Sequence, residues 1–202
     1  MSNLIIVSAP SGAGKTSLIK EILQQDKQIK LSVSTTTRPP RINEIDGVHY
    51  NFVSVEQFEK LQQQNEFIEF AKVHQNYYGT SKTWVEQNLK QNDNVDILLE
   101  IDWQGAEQVK KIFPDAILIF ILPPSLQILR QRLTDRKTDS DEVIQNRINA
   151  AIGEMQHCNN FDFVIINDDF NMAAKQLLSI IQTQRLTYNY QKIMNPKVFE
   201  GF

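Results

Sequence analysis

Apolar residues fall in short continuous runs, and amphipathic stretches separate them. Four runs rich in β-branched residues, 4–8, 95–101, 116–122 and 163–166, have the length and continuity of parallel strands buried on both faces. A more polar run, 29–34, is a fifth candidate. Helical spacing fills the intervals. Leu18, Ile19, Ile22 and Leu23 mark one face of a helix over about 16–25. Ser54 with Gln57 forms a capping box ahead of a short helix carrying Phe58 and Leu61. Ser125, after Pro123 and Pro124, caps a helix that buries Leu126, Leu129 and Leu133, and Asp139 or Ser140 caps another through Ile144, Ile148 and Ile152. A last amphipathic helix spans 172–190. This alternation predicts an α/β fold, a central parallel sheet flanked by helices. Two stretches break the pattern. Residues 34–94 are long, polar and aromatic, and 134–147 are dense in charge; segments of that length are normally lids or inserted subdomains.

Composition narrows the partners. The 202 residues suffice for one ordinary domain, and 41% hydrophobic with 22% charged residues are globular values. A net charge of −3 argues against a general nucleic-acid binder but leaves room for a small basic pocket. The single cysteine, Cys158, excludes an internal disulfide framework and fits a reducing cytosol. Nothing at the N-terminus resembles a signal peptide, and the longest apolar run is far too short to span a bilayer. The expectation is a soluble cytoplasmic protein with neither nucleic-acid nor membrane partners.

The chemistry begins where the first strand ends. Ala9-Pro10-Ser11-Gly12-Ala13-Gly14-Lys15-Thr16 has the G-x-x-x-x-G-K-[ST] spacing of a P-loop, with Ala9 in place of the first Gly. Such a loop, continuing into Ser17, wraps backbone N–H groups around a polyphosphate. Lys15 reaches the β/γ-phosphates, the Thr16 hydroxyl takes a Mg²⁺ position, and the helix aims its positive dipole end at the same anion. The bland alternative is a Gly-rich strand-to-helix turn with a solvated lysine; the apolar strand before and amphipathic helix after supply the context a P-loop requires. In the first insertion Arg38 and Arg41 flank two prolines, a stiff non-helical backbone. Two guanidinium forks held close together suit a phosphate monoester, and Tyr50 and Tyr78 add neutral O–H donors. On spacing alone this pair reads equally well as a solvated loop. Likewise Glu69, within Glu66-Phe67-Ile68-Glu69-Phe70, reads by itself as the solvent side of a strand.

Taken together, the segments Ser8-Ala9-Pro10-Ser11-Gly12-Ala13-Gly14-Lys15, Ser34-Thr35-Thr36-Thr37-Arg38-Pro39-Pro40-Arg41, Gly47-Val48-His49-Tyr50-Asn51-Phe52, Asn76-Tyr77-Tyr78-Gly79-Thr80, Ile101-Asp102-Trp103-Gln104-Gly105-Ala106 and Ile166-Asn167-Asp168-Asp169 strongly resemble guanylate kinase. The match runs in order over residues 3–187 and looks like the bacterial form, in which Ala at the position of Ala9 is common. The resemblance implies a P-loop kinase fold in three parts: a core of residues 1–33, 95–124 and 157–202 holding ATP, a GMP-binding subdomain of 34–94, and a mobile lid of 125–156. By position, Arg38, Arg41, Tyr50 and Tyr78 hold the GMP phosphate, and Ser34, Glu69, Thr80 and Asp102 surround the guanine. Guanine offers an acceptor at O6 and donors at N1 and N2, so a carboxylate accepts from both donors while a hydroxyl donates to O6. Adenine leaves those groups unpaired, at a cost on the order of several kcal/mol.

The resemblance further implies that Arg132, Arg136 and Arg147 bring cations onto the ATP phosphates and the transferring group, that Asn167 belongs to the ATP site, and that Glu100 orients Mg²⁺ or its waters. Glu100 stands where the family usually has Asp, one methylene shorter, and Thr80 where Ser is commoner. Arg130 reads as part of a salt-bridged solvated face. His49, His74 and His157 form no metal-ligand pattern. The expected reaction is transfer of the γ-phosphoryl group of ATP to GMP, with dGMP an additional acceptor candidate. The rival from another class is a catalytically silent guanylate-kinase-like module that binds phosphopeptides; intact Gly12, Gly14, Lys15 and Thr16, and a chain with no space for a neighbouring interaction domain, count against it.

Overall fold

The computed structural model describes residues 2–73, 75–91, 94–135 and 140–201. Its elements follow in the order β1 (Leu4–Ser8), α1 (Lys15–Gln25), β2 (Ile29–Leu31), β3 (Thr35–Thr36), β4 (Asn51–Phe52), α2 (Val55–Gln63), β5 (Phe67–Val73), β6 (Asn76–Ser81), α3 (Lys82–Lys90), β7 (Asp96–Glu100), α4 (Trp103–Ile112), β8 (Ile117–Leu122), α5 (Leu126–Thr134), α6 (Asp141–Met155), β9 (Phe163–Ile166), α7 (Phe170–Gln184), α8 (Tyr188–Met194) and α9 (Pro196–Phe199). Five strands form one sheet in the order β2-β7-β1-β8-β9, with every neighbouring pair parallel. Successive side chains point to opposite faces, so a parallel strand must be apolar throughout to be buried on both. Accordingly Ile5 and Val7 pack with Leu18 and Ile22 of α1 and Leu177 and Ile181 of α7. Leu4 and Ile6 pack with Val85 of α3, Val109 of α4 and Phe120. The second sheet, β4-β3-β6-β5, is antiparallel apart from the β3–β4 pair, and lies within the first inserted segment.

Several expected elements come out shorter or more exposed. The 29–34 run ends as a strand at Leu31, and Ser32 N–H extends the ladder by one bond to the Leu98 carbonyl. β9 is an edge strand rather than a fully buried one. Val164 and Ile166 are 45% and 50% exposed, because β-branched content reports strand formation and not how many faces are covered. Leu126 is 43% exposed, lying in the first turn of α5 ahead of its contact with α6. That contact joins Leu129 and Leu133 to Ile144, Ile148 and Ala151, the i, i+4, i+7 stripe; Ile152, one position beyond it, is 37% exposed. Ser54, Ser125 and Ser140 cap their helices as expected, whereas Asp139 lies outside the described residues. Within the charged segment 134–147, residues 141–147 already belong to α6, which begins at Asp141.

The last helix is two helices. At the break, the N–H groups of Arg185, Leu186 and Thr187 turn back three residues to the carbonyls of Gln182, Thr183 and Gln184. The side chain of Arg185 accounts for this turn. Its Nε donates to Asp96 Oδ2 at 2.6 Å and one Nη to Asp26 Oδ2 at 2.8 Å, which ties α7 to the amino ends of β2 and β7. Asp96 is 0% exposed and also accepts from Asn3 N and Nδ2. Removing the cation strands buried carboxylates, so Arg185→Met is expected to cost roughly 3–5 kcal/mol in urea unfolding. A loss below about 1 kcal/mol would show the network to be dispensable.

Candidate active site

β1 and β7 are neighbours with Val7 opposite Glu100, so the loops leaving their carboxyl ends lie side by side. Ligands of open α/β sheets bind there, beyond the strand ends. The loop after β1 needs glycine at two points. Gly12 and Gly14 have φ of +94° and +95°, in the left-handed region. A Cβ on Gly14 would also meet Asn167 Nδ2 at 2.4 Å. Ala9 is not among the positive-φ residues, which is why a side chain is tolerated where the motif usually has Gly. No capping side chain takes up the first N–H groups of α1. Lys15 Nζ donates to the Ile101 carbonyl at 3.0 Å, and Thr16 Oγ1 donates to Glu100 Oε1 at 2.5 Å.

A cleft of about 720 Å³ opens from this loop toward the second sheet. Ala9, Pro10, Ser11, Gly12, Gly14, Lys15, Thr16 and Ser17 form one wall. Ser34, Arg38, Arg41, Tyr50, Glu69 and Tyr78 form the facing wall, with Glu100, Asp102 and Arg147 between. Asn167, Arg132 and Thr80 stand behind the walls, whereas Arg147 reaches the phosphate loop from the lining itself. Asn167 Nδ2 donates to the Ala13 carbonyl at 2.7 Å, bracing the loop from beneath. Arg132 donates to the carbonyls of Ala13 and Asn167, at 3.4 and 2.9 Å. Thr80 is fully buried and donates to Glu69 Oε1 at 2.5 Å. Arg147 donates to Ser11 Oγ at 2.6 Å. Arg136 lies outside the described residues.

Glu69 is 3% exposed, not on the solvent side of β5. Register explains the inversion. A bulge between Phe67 and Glu69 lets Ile68 and Glu69 both turn inward and sets Glu69 opposite Thr80. Helix α4 then approaches closely: a Cβ on Gly105 would lie 2.4 Å from Glu69 Oε2, so only glycine leaves room for this carboxylate. Asp102 caps α4 by accepting from Gly105 N–H at 2.8 Å while facing the cleft. Burial, and then the charge of Asp102, push the Glu69 carboxyl from its ordinary 4.5 up to about 7, against the opposing Thr80 hydrogen bonds.

Because this pKa is raised, the folded protein keeps a proton that the unfolded chain gives up. The resulting stability is complete below pH 4.5 and is lost as pH rises through 7. The melting temperature of the ligand-free protein is therefore expected to fall across that window, with a flatter slope in Glu69→Gln. Equal slopes in both proteins would contradict the assignment.

On the phosphate side, Arg38 is held rather than solvated. Glu44 Oε1 accepts from it at 2.9 Å, and the guanidinium lies 5.4 Å from the Tyr50 ring centroid. Glu44 Oε2 also accepts from Arg41 N–H, while the Arg41 residue is exposed. Burial and the nearby Glu100 charge push the Tyr50 phenol up to about 12, so it remains an O–H donor at neutral pH. Tyr78 meets the Tyr50 ring edge-on, and Tyr77 stacks on Phe58 as a packing residue. Sequence reasoning missed Glu44, Gly105 and Glu154, which also lines the cleft. For Glu154 a signal existed, since it lies seven residues after Arg147, on the same helical stripe.

Among the described residues no group of three or more His, Cys, Asp or Glu side chains could hold a metal. His157 stacks on Trp103 and His49 Nδ1 accepts from Ile45 N–H, while His74 lies outside the described residues. No described helix is long and apolar enough to cross a membrane.

Comparisons with known proteins cover nearly the whole chain. The family profile described as guanylate kinase matches residues 1–184. A relative named guanylate kinase from Aromatoleum aromaticum is 51% identical, covering 98% of this chain and 96% of its own. One of the same name from Shewanella violacea is 56% identical, covering 92% of this chain and 89% of its own. The crystal structure of guanylate kinase from Anaplasma phagocytophilum superposes with a TM-score of 0.78 at 31% identity, covering 93% of this chain and 88% of that one.

Proposed function

Because this chain belongs to the guanylate kinase family, we infer that it transfers the γ-phosphoryl group of ATP to GMP, giving ADP and GDP. One observation carries the assignment of sites: a single cleft has the phosphate loop on one wall and the buried Glu69–Thr80 pair on the other. Guanine N1–H and N2–H donate to the Glu69 carboxylate, and the Ser34 hydroxyl donates to O6, with Asp102 alongside. Thr80 acts through Glu69 by fixing its carboxylate. Arg38, Arg41, Tyr50 and Tyr78 hold the GMP phosphate, and Glu44 sets the angle of Arg38. dGMP presents the same base edge and phosphate and serves as a second acceptor.

In the reaction a GMP phosphate oxygen attacks the γ-phosphorus in line. The new P–O bond forms as the bond to the β-phosphate oxygen breaks, and ADP leaves. Little covalent chemistry falls to the protein, so positioning and charge neutralisation carry the rate. Residues Ala9, Pro10, Ser11, Gly12, Ala13, Gly14, Thr16 and Ser17 cradle the ATP phosphates, with Asn167 bracing them. Lys15 exchanges the Ile101 carbonyl for phosphate oxygens, and Arg132, Arg136 and Arg147 neutralise the transferring group. Residues 1–33, 95–124 and 157–202 act as the core, 34–94 as the GMP-binding part and 125–156 as a lid that excludes water on closing.

The residues present fit Mg²⁺. Thr16 Oγ1 and Glu100 Oε1 are hard oxygen donors already in contact, and Mg²⁺ characteristically takes one or two protein oxygens beside substrate phosphates and water. When bound, it supplies charge neutralisation at the β- and γ-oxygens. A cytoplasmic setting fits the lone Cys158.

The binding-module alternative is not favoured, given relatives named as kinases over nearly the whole chain and an intact loop through Thr16. Phosphorus NMR of a mixture of ATP, GMP, Mg²⁺ and protein tests the reading. ADP and GDP are expected in equal amounts, whereas saturable GMP binding without either product would restore the module.

A further inference from the structure

The face of α4 that meets β5 carries Asp102, Gly105 and Gln108, spaced three apart and so stacked along the helix. The first two belong to the cleft described above: Asp102 lines it, and Gly105 leaves room for Glu69 Oε2. Gln108 lies outside the lining and grips the neighbouring strand instead. Its Oε1 accepts from the Phe70 backbone N–H at 3.2 Å, and its Nε2 donates to the Phe70 carbonyl at 2.9 Å. Nε2 also donates one turn back, to the Gln104 carbonyl at 3.3 Å, which engages both ends of the amide and fixes its plane. β5 is the last strand of its sheet, and the amide pairs with its open edge as a further strand would.

Glu69 therefore sits between two anchors. On one side Ile68 is buried in the cluster that holds Ile101, Ala106 and Val109, and on the other Phe70 is held by Gln108. The apolar contact has no direction, whereas the paired hydrogen bonds fix the height and tilt of the backbone. Direction matters at this point, because the bulge between Phe67 and Glu69 interrupts the β5–β6 ladder immediately ahead of Glu69. We propose that Gln108 is a positioning residue for guanine specificity, which by clamping Phe70 to α4 sets where the Glu69 carboxylate stands against guanine N1–H and N2–H; this rests on the reading that Glu69 receives those two donors. Without the clamp, β5 is free to slide on its apolar contact. The carboxylate then moves off Gly105 and its bonds to the base lengthen, while the contacts to the GMP phosphate stay. Gln108 acts through Glu69 and not on the nucleotide.

The test is steady-state kinetics with GMP and with AMP at saturating ATP, beside circular dichroism melts. It compares the full chain with Gln108→Met, Gln108→Glu, Glu69→Gln and the double variant Gln108→Met with Glu69→Gln. Met keeps the length and helix propensity of Gln without its amide, and Glu keeps the acceptor but sets an oxygen against the Phe70 carbonyl. Both single variants at residue 108 are expected to raise KM for GMP about tenfold, with kcat and the AMP kcat/KM changed by about twofold or less. The ratio of kcat/KM for GMP to that for AMP falls accordingly, and adding Gln108→Met to Glu69→Gln lowers it no further. A merely structural brace would lower both acceptors alike. An unchanged KM for GMP in both Gln108 variants, or an equal fall for GMP and AMP, overturns the proposal, and a lost GMP preference in Glu69→Gln then leaves the guanine site standing. An unchanged ratio in Glu69→Gln overturns both.

Discussion

Replacing Lys15 with Ala lowers kcat by about a thousandfold, near 4 kcal/mol of transition-state stabilisation, while the fold survives. The size follows from the loss of a full positive charge at the β/γ-phosphates, where positioning and charge neutralisation carry the rate. Lys15 Nζ donates to the Ile101 carbonyl, and Lys15 belongs to none of the apolar clusters that build the core. Alanine is also a good residue for the first turn of α1, so helicity and urea midpoint are expected to change little. Steady-state turnover with saturating ATP and GMP, beside a circular dichroism melt, checks both halves. Near-normal kcat from a folded variant would remove the phosphate loop from the reaction.

Glu69→Gln is the second large effect. A carboxylate accepts from both guanine donors, but an amide turns one N–H toward a donor and leaves buried groups unpaired. kcat/KM for GMP is expected to fall about a thousandfold. AMP is expected to lose less or to gain, because the amide N–H donates to adenine N1. The ratio of kcat/KM for GMP to that for AMP reads this directly. An unchanged ratio would place guanine recognition elsewhere, whatever happened to the absolute rates.

The central sheet was legible because parallel strands buried on both faces are apolar nearly throughout, as β8 is at every position and β1 is up to its last residue, Ser8. The phosphate loop was legible for a related reason: its glycines are required by positive φ, and the chain signals that requirement by spacing. Serine caps at residues 54, 125 and 140 are local devices, and local patterns disclose them. Glu69 shows the limit. Its burial depends on a bulge in β5 and on the approach of Gly105 across thirty-six positions of sequence, so periodicity alone assigns it to the wrong face and only the family resemblance pointed to the site. Arg185 shows the same limit for helix length, since its side chain turns to carboxylates at residues 26 and 96 and breaks a periodicity that runs on to Tyr190. Arg132 and Asn167 were singled out by resemblance, but their contacts with the loop carbonyls and with each other are long-range facts of packing.

The most direct measurement is ADP production from MgATP with GMP, dGMP, AMP, CMP and UMP as separate acceptors. The account predicts rapid turnover with GMP, turnover of the same kind with dGMP, and kcat/KM for AMP lower by about four orders of magnitude. Comparable rates with GMP and AMP would contradict guanine recognition by Glu69 and Ser34. No turnover with any acceptor, from folded protein that binds GMP, would contradict the phosphotransferase itself.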